Sequence, residues 1–568
     1  MRRTGVLPFL FLLLLAACRP AKPLVADPYS YRIEKKVIAA NGAVVSAHPL
    51  ASAVGLAVLQ DGGNAIDAAI ATQLALAVVY PRAGNLGGGG FLVAQLANGQ
   101  ALALDYRETA PAGAHRDMYL DAQGEVVPGK SRDGHLSGGV PGTVAGLFES
   151  HRHGRLPFRK LIEPAIALAE RGFAITAAEA DGLNGIQEDL RKFNTAPSAF
   201  LRTRAWQAGD TLVQAELAAT LRRIRDGGAA GFYTGETARL VAAEMKRGGG
   251  LITEKDLADY RAKWRTPQRF NYRGYEVLSM PMPSSGGTLL QQMLGMVEAW
   301  PLSTYGHNSP ESVQLMTEAE RRAYADRAEH MGDADHYLVP QKGLVDAAYL
   351  ARRMQDFVPG KAGNSVNVRP GVLPKESEQT THLSVLDKSG NAVSVTTTLN
   401  NSYGSKTVIG GAGFFLNDEM DDFSAKPGAP NLYGAVGGAA NAIAPGKRML
   451  SSMTPTILLR DGKPVFVVGT PGGTTIPTSV FQTVVNLVDF GLDGDAAVNR
   501  PKFHHQWLPD VLYVEAGFPA EVRQRLEAMG YKLEERSAIG RTELIRVLPD
   551  GRLEAVGDSR GDDAAAGY

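Results

Sequence analysis

The sequence predicts an α+β protein. From Gly142 to about Gly250 the apolar spacing is mostly helical, whereas after Thr380 it changes to short segments that alternate apolar and polar residues, the strand period. Glycine is abundant, 64 of 568 residues against a usual ~7%. The glycines cluster beside apolar runs, which points to close backbone approaches rather than collagen or flexible linker. Hydrophobic residues make up 44% and charged residues 21%, so the chain can bury a sizeable core and is not mainly disordered. Its length allows about three or four domains, or two large ones. Lys plus Arg and Asp plus Glu are both 59, a balance that points to neither nucleic acid nor a polybasic membrane patch.

The N-terminus reads Arg2-Arg3, an apolar stretch from about Gly5 to Ala17, then Cys18. This is a charged region followed by an apolar one too short for a standard membrane span. Leu15-Ala16-Ala17-Cys18 resembles the bacterial lipobox, in which the cysteine is lipidated and becomes the first residue. An ordinary secretory signal is the blander reading, and twin-arginine export through the Arg pair the weaker one. The expectation is a signal peptide over 1–17, a tether over 18–36, and an exported bacterial lipoprotein on the periplasmic side. Arg19 is compatible with outer-membrane sorting. Cys18 is the sole cysteine, which excludes an intrachain disulfide, a four-cysteine zinc site and a cysteine nucleophile in the body.

Ala51–Gln60 and Asn64–Val79 read as helices, punctuated by Gly62-Gly63. The second carries Asp67 and Gln73, so it is expected as a buried core helix, not a span. The run Asn85-Leu86-Gly87-Gly88-Gly89-Gly90 feeds a strand, and Leu102–Tyr106 is the next, ending at Arg107-Glu108. Tyr275–Met280 precedes Pro283-Ser284-Ser285-Gly286-Gly287 and helices to about Met331. Pro359–Gln379 is polar and aperiodic, expected as an exposed loop and the best internal boundary. From Thr380 to Asn400, Lys388-Ser389-Gly390 fits a three-residue hairpin loop with Gly in the left-handed position. That register sets Leu383 against Val395 and Val385 against Val393 on an apolar face. It sets Thr380 against Thr398, His382 against Thr396 and Ser384 against Ser394 on a polar face, with Asn400 just beyond. On pattern alone, the polar face reads as solvated.

At these residues the sequence resembles the γ-glutamyltransferase (γ-glutamyl transpeptidase) family. The likeness runs from about Val37 to Tyr568 through GGNAIDAAIATQLALAV, GNLGGGGFL, DYRETAPA, SGGVPGTVAG, MPMPSSGG, QTTHLSV, MDDFSAKPG, KRMLSSMTPT, GTPGG, RPKFHHQWLPD and the terminal AAAGY. It implies a four-layer αββα sandwich of the N-terminal-nucleophile hydrolase type. It also implies a precursor cut between Gln379 and Thr380 into a large subunit, 37–379, and a small one, 380–568, that stay together. The cut would free the α-amine of Thr380, whose ordinary pKa of about 7.7–8.0 suits a base near neutral pH. A threonine hydroxyl needs such a base to act as nucleophile.

The resemblance further implies Thr398 as support for Thr380, and Gly472 and Gly473 as the oxyanion donors. Arg107 would take the substrate α-carboxylate through its planar fork, with Ser451 and Ser452 sharing it. Asp422 would receive the α-ammonium, assisted by Asn400 and Glu419, where many bacterial relatives have Gln. Lys426–Gly438 would be a lid with Tyr433 as gate, favouring small peptides such as glutathione over polymers. His382 and the pair His504-His505 read as structural. No metal or nucleotide motif is present, so no cofactor is implied. The expected reaction is transfer of a γ-glutamyl group to an amino acid, a peptide or water. A glutaryl-amide acylase is the alternative within enzymes, and Asp422 argues against it, because a glutaryl group has no ammonium. A catalytically dead lipoprotein binding module is the alternative outside them.

Overall fold

The computed structural model describes residues 26–368, 379–426 and 438–568. Cys18 with the leader, Tyr433 with most of the Lys426–Gly438 segment, and residues 369–378 lie outside the described residues.

Two seven-stranded sheets, each antiparallel throughout, form the middle of the molecule. The first runs Ala564–Gly567, Ala43–Ser46, Gln379–Leu386, Ala392–Asn400, Gly89–Gln95, Ala101–Asp105, Lys263–Arg265. The second runs Lys36–Ala39, Leu553–Val556, Glu543–Val547, Lys463–Gly469, Thr456–Arg460, Tyr275–Ser279, Gln268–Tyr272. Between them pack Val45, Phe91 and Val93 from the first and Leu278, Ile457, Val467 and Ile545 from the second.

Helices α1 (Pro49–Gln60) and α2 (Ala65–Val79) cover the outer face of the first sheet. All fifteen residues of α2 are buried, as its nearly unbroken apolar sequence requires. Asn64 caps it: its side chain accepts from the Asp67 N–H at 3.0 Å, and Asp67 returns the bond to the Asn64 N–H at 2.9 Å. Helices α3 (Gly286–Glu298), α4 (Pro310–His330) and α5 (Thr475–Val488) cover the second sheet. The order helix, sheet, sheet, helix is the expected four-layer αββα sandwich.

The central hairpin keeps the expected register from Thr380↔Thr398 to Leu386↔Ala392, and Gly390 has φ +85°. Asp387 locks its turn by accepting from the N–H groups of Ser389 and Asn391, and its other oxygen takes the Ala65 N–H at the start of α2. The apolar face, Leu383, Val385, Val393 and Val395, packs on the helices. The polar face is not solvated as its pattern suggests: Ser384, Ser394, His382 and Thr396 are fully buried. The second sheet lies over it, and its carbonyls at Val468 and Glu543 accept from Ser394 and Ser384 at 3.2 Å. These hydroxyls satisfy backbone groups that water cannot reach.

The expected exposed loop from Pro359 is also partly pinned. Ser365 and Val368 are buried. The Trp507 indole N–H reaches both their carbonyls at 2.9 Å, and Asp510 accepts from the Ser365 N–H at 2.8 Å. The motif FHHQWLPD thus anchors the segment that leads towards residue 379.

Candidate active site

Thr380 is the second residue of the strand Gln379–Leu386. Thr380 stands at the open end of the hairpin, 7% exposed, opposite the buried Thr398. The Asn400 N–H donates to the Thr398 hydroxyl oxygen at 2.7 Å, which orients that hydroxyl. Asn400 itself has φ +73°, a left-handed conformation that Asn tolerates better than most residues. It ends the strand there, and its side chain donates to the Asp418 carbonyl at 3.0 Å. The glycine run brings the neighbouring strand close: a Cβ on Gly88 would lie 2.1 Å from the Thr398 carbonyl oxygen. Asn85, in the same run, donates to that carbonyl at 2.8 Å.

The Gly472 N–H donates to the Thr380 hydroxyl oxygen at 3.1 Å. Gly472 and Gly473 have φ of +138° and +57°, and a Cβ on Gly472 would lie 2.3 Å from the Thr475 hydroxyl. Only glycine forms this turn, which leads directly into α5. The Gly472 carbonyl takes the Thr475 N–H at 3.0 Å, so the turn sits at the positive end of a fourteen-residue helix. The Tyr324 hydroxyl, from α4, braces it through the Thr474 carbonyl.

A second buried group lies beyond Asn400. Arg107, 1% exposed, gives one guanidinium nitrogen to Glu419 and the other to Asp422. It also donates to the carbonyls of Met449 at 3.4 Å and Leu450 at 3.3 Å, the residues before Ser451 and Ser452. Asn441 ties the parts together, donating to the Asp422 carbonyl and accepting from the Leu450 N–H. Asp422 Oδ1, Glu419 Oε2 and Ser452 Oγ are buried and have no hydrogen-bond partner among the described residues.

Charge dominates this cluster. Burial works against the Arg107 cation, but Glu419, Asp422 and Glu108 outweigh it and hold it firmly charged. Burial pushes the Glu419 and Asp422 carboxyls upward while Arg107 pulls them back. Glu108, 3.8 Å from Arg107, is pushed up to about 8 by burial. A cation paired with two carboxylates complements a zwitterion, which can place its own carboxylate on the guanidinium and its ammonium on the acids.

The structure thus brings Thr380, Thr398, Asn400, Gly472, Gly473, Arg107, Glu419, Asp422, Ser451 and Ser452 to one end of the hairpin. It adds residues that no spacing in the sequence revealed. The Ser285 N–H and hydroxyl both donate to the Ser451 carbonyl at 2.7 Å. The buried Arg327 donates to the Ser285 hydroxyl at 2.9 Å. Burial pulls Arg327 down to about 10, and Asp422 is among the groups that pull it back. The motif MPMPSSGG was the only trace of this buttress. His382 lies within hydrogen-bond reach of Thr396 and Ser384 through its two ring nitrogens, and burial lowers it to about 3, so it stays neutral inside the hairpin. His504 and His505 lie buried in their own motif, beside Thr478 and Asp510. Among the described residues, no group of three or more His, Cys, Asp or Glu could hold a metal ion, and no helix is long and apolar enough to cross a membrane.

Known proteins resemble this chain in sequence and fold. A family model described as gamma-glutamyltranspeptidase matches residues 51–568. A glutathione hydrolase proenzyme of Escherichia coli is 48% identical over 562 residues, covering 97% of this chain and 96% of its own. The crystal structure of Helicobacter pylori gamma-glutamyltranspeptidase covers 60% of this chain and 97% of its own, at 44% identity and a TM-score of 0.56. A cephalosporin acylase from Bacillus halodurans covers 96% and 98%, at 27% identity and a TM-score of 0.83.

Proposed function

The chain belongs to the gamma-glutamyltranspeptidase family, and on that premise we propose that Thr380 is its nucleophile and that Arg107, Glu419 and Asp422 clamp the substrate head group. The protein is an enzyme of γ-glutamyl hydrolysis and transfer, made as a precursor that processes itself. In the proposed cut, the Thr380 hydroxyl oxygen attacks the Gln379 carbonyl carbon and the C–N bond to Thr380 breaks. Water then hydrolyses the resulting ester. The products are a Gln379 carboxylate and the free Thr380 amine. In the first sheet, strands from one side of the cut are hydrogen-bonded to strands from the other, Ala43–Ser46 lying between Ala564–Gly567 and Gln379–Leu386 and Gly89–Gln95 pairing with Ala392–Asn400, which supports 37–379 and 380–568 remaining together as large and small subunits.

In turnover, the Thr380 amine takes the hydroxyl proton as the oxygen attacks the γ-carbonyl carbon of glutathione or a related compound. The N–H groups of Gly472 and Gly473, at the helix terminus, receive the developing oxyanion. The C–N bond breaks as the proton passes to the leaving nitrogen. Water, or the amine of an amino acid or peptide, then attacks the acyl-enzyme and frees Thr380. Thr398 holds the nucleophile's rotamer, and Asn400, Ser451 and Ser452 complete the head-group site. Lys426–Gly438, with Tyr433, is proposed as the cover of this pocket on family resemblance alone. Cys18 is proposed as a lipid anchor that holds the exported enzyme on the periplasmic side of the outer membrane. Its support is the Leu15–Cys18 pattern and its being the sole cysteine.

The observation that carries the substrate reading is Arg107 buried between Glu419 and Asp422. A glutaryl group would occupy the guanidinium and leave two buried carboxylates without a cation, a costly arrangement. This favours a γ-glutamyl donor over the acylase alternative. The test is product analysis with glutathione, with and without a dipeptide acceptor. Glutamate and cysteinylglycine are expected in water, and a γ-glutamyl dipeptide with the acceptor. Cleavage of a glutaryl amide with glutathione untouched would reverse the reading.

A further inference from the structure

Thr380 and Gly472 also line a second concavity, of about 240 Å³. No residue of the head-group clamp lines it. Four arginines do, Arg82, Arg536, Arg541 and Arg560, and no acidic side chain.

Arg541 and Arg560 are held by carboxylates behind the wall. Arg541 makes paired bonds to Asp563 at 3.0 and 2.9 Å, and Arg560 binds Glu515 at 2.6 Å through two nitrogens. Their positions are fixed and their charges largely offset. Arg82 differs. Its Nε donates to the Ser402 hydroxyl at 3.0 Å, and its carbonyl takes the Tyr403 N–H at 2.8 Å. Among the described residues no carboxylate lies within salt-bridge distance of it. These two bonds fasten Arg82 to the segment that leaves the hairpin just after Asn400, so it is held at the same end of the sheet as Thr380. Arg536 stands over the Tyr513 ring at 5.8 Å.

We propose that this arginine-lined cavity is a carboxylate subsite for the part of the peptide beyond the scissile amide, with Arg82 as its main contact. The ligand class is a short peptide with a free C-terminal carboxylate: the leaving dipeptide of the donor, or a dipeptide acceptor. The inference rests on the γ-glutamyl reading above. Its geometry follows from chain reach. The acyl carbon sits on Thr380, and the carboxylate of a leaving dipeptide lies up to about 7 Å further along an extended chain. A guanidinium is suited to that group, because its planar fork matches two carboxylate oxygens.

The test compares kcat/KM for glutathione with that for its C-terminal glycinamide, with a γ-glutamyl anilide run alongside. The glycinamide keeps the γ-glutamyl group and the scissile bond and removes only the distal charge. A charge-assisted hydrogen bond of ~1.5–3 kcal/mol sets the expected preference for glutathione in the wild type at about tenfold or more. Arg82→Gln should cut that preference severalfold, and Arg82→Lys should restore part of it. A wild type that cleaves the anilide yet handles glutathione and its glycinamide alike overturns the subsite and leaves the γ-glutamyl activity standing. A preference undiminished in the variants overturns it too. A wild type that cleaves none of the three removes both readings.

Discussion

Replacing Arg107 by lysine isolates the guanidinium fork. Lysine keeps the charge, so Glu419, Asp422 and Glu108 still face a cation, and the large cost of stranding buried carboxylates is avoided. What is lost is geometry. Arg107 serves Glu419 with one terminal nitrogen and Asp422 with the other, and reaches the carbonyls of Met449 and Leu450 as well. An ammonium at the end of a flexible stem cannot hold two separated acceptors and a bidentate carboxylate in one plane. The loss is one charge-assisted hydrogen bond in the substrate complex, ~1.5–3 kcal/mol, or about 10- to 150-fold in kcat/KM. The assay is turnover of a γ-glutamyl anilide by the purified cut enzyme, with a thermal melt of the same preparation to show that the fold is intact. Arg107→Lys with kcat/KM within about twofold of wild type would refute the fork argument.

Asp422→Ala should depress turnover of γ-glutamyl amides far more than of glutaryl amides, because only the former bring an ammonium; equal losses in paired kinetics would remove Asp422 from that role. His382 is held neutral by burial, which lowers it from 6.5 to about 3. Below pH 6.5 the unfolded chain therefore binds a proton that the native chain refuses, and stability falls as pH drops from about 6.5 towards 3. His382→Gln should flatten that acid slope in melts recorded across the window, and an unchanged slope would contradict it. Cys18→Ala should release active enzyme from the membrane-anchored fraction or leave its leader uncleaved, whereas absence of lipid label from the wild type would end the anchor proposal.

The hairpin was legible because a period-two pattern and a glycine at the turn fix every pair once one is set; Thr380↔Thr398 follows from Lys388-Ser389-Gly390 alone. What covers its polar face was not legible. Strands that bury hydroxyls against a second sheet and strands that show them to water have the same alternation, so Ser384 and Ser394 carried no sign of the carbonyls above them. Periodicity gave α+β, and only the family resemblance gave the order of the four layers. The head-group residues were named through shared motifs, yet the direct pairing of Arg107 with both Glu419 and Asp422 appears only in three dimensions. Arg327 and Arg82 were missed for a plainer reason. Their partners, Ser285 and Ser402, lie 42 and 320 residues away, and no local spacing encodes such contacts.

The central claim is that cutting the chain creates the catalytic group, and N-terminal sequencing of the smaller fragment tests it most directly. The account predicts Thr-Thr-His-Leu as the start of that fragment. It also predicts a single uncut, inactive chain for Thr380→Ala, and slower cutting and turnover for Thr380→Ser, which lacks the methyl that restricts the rotamer. A fragment beginning at any other residue, or a Thr380→Ala protein that still turns over a γ-glutamyl anilide, would contradict it.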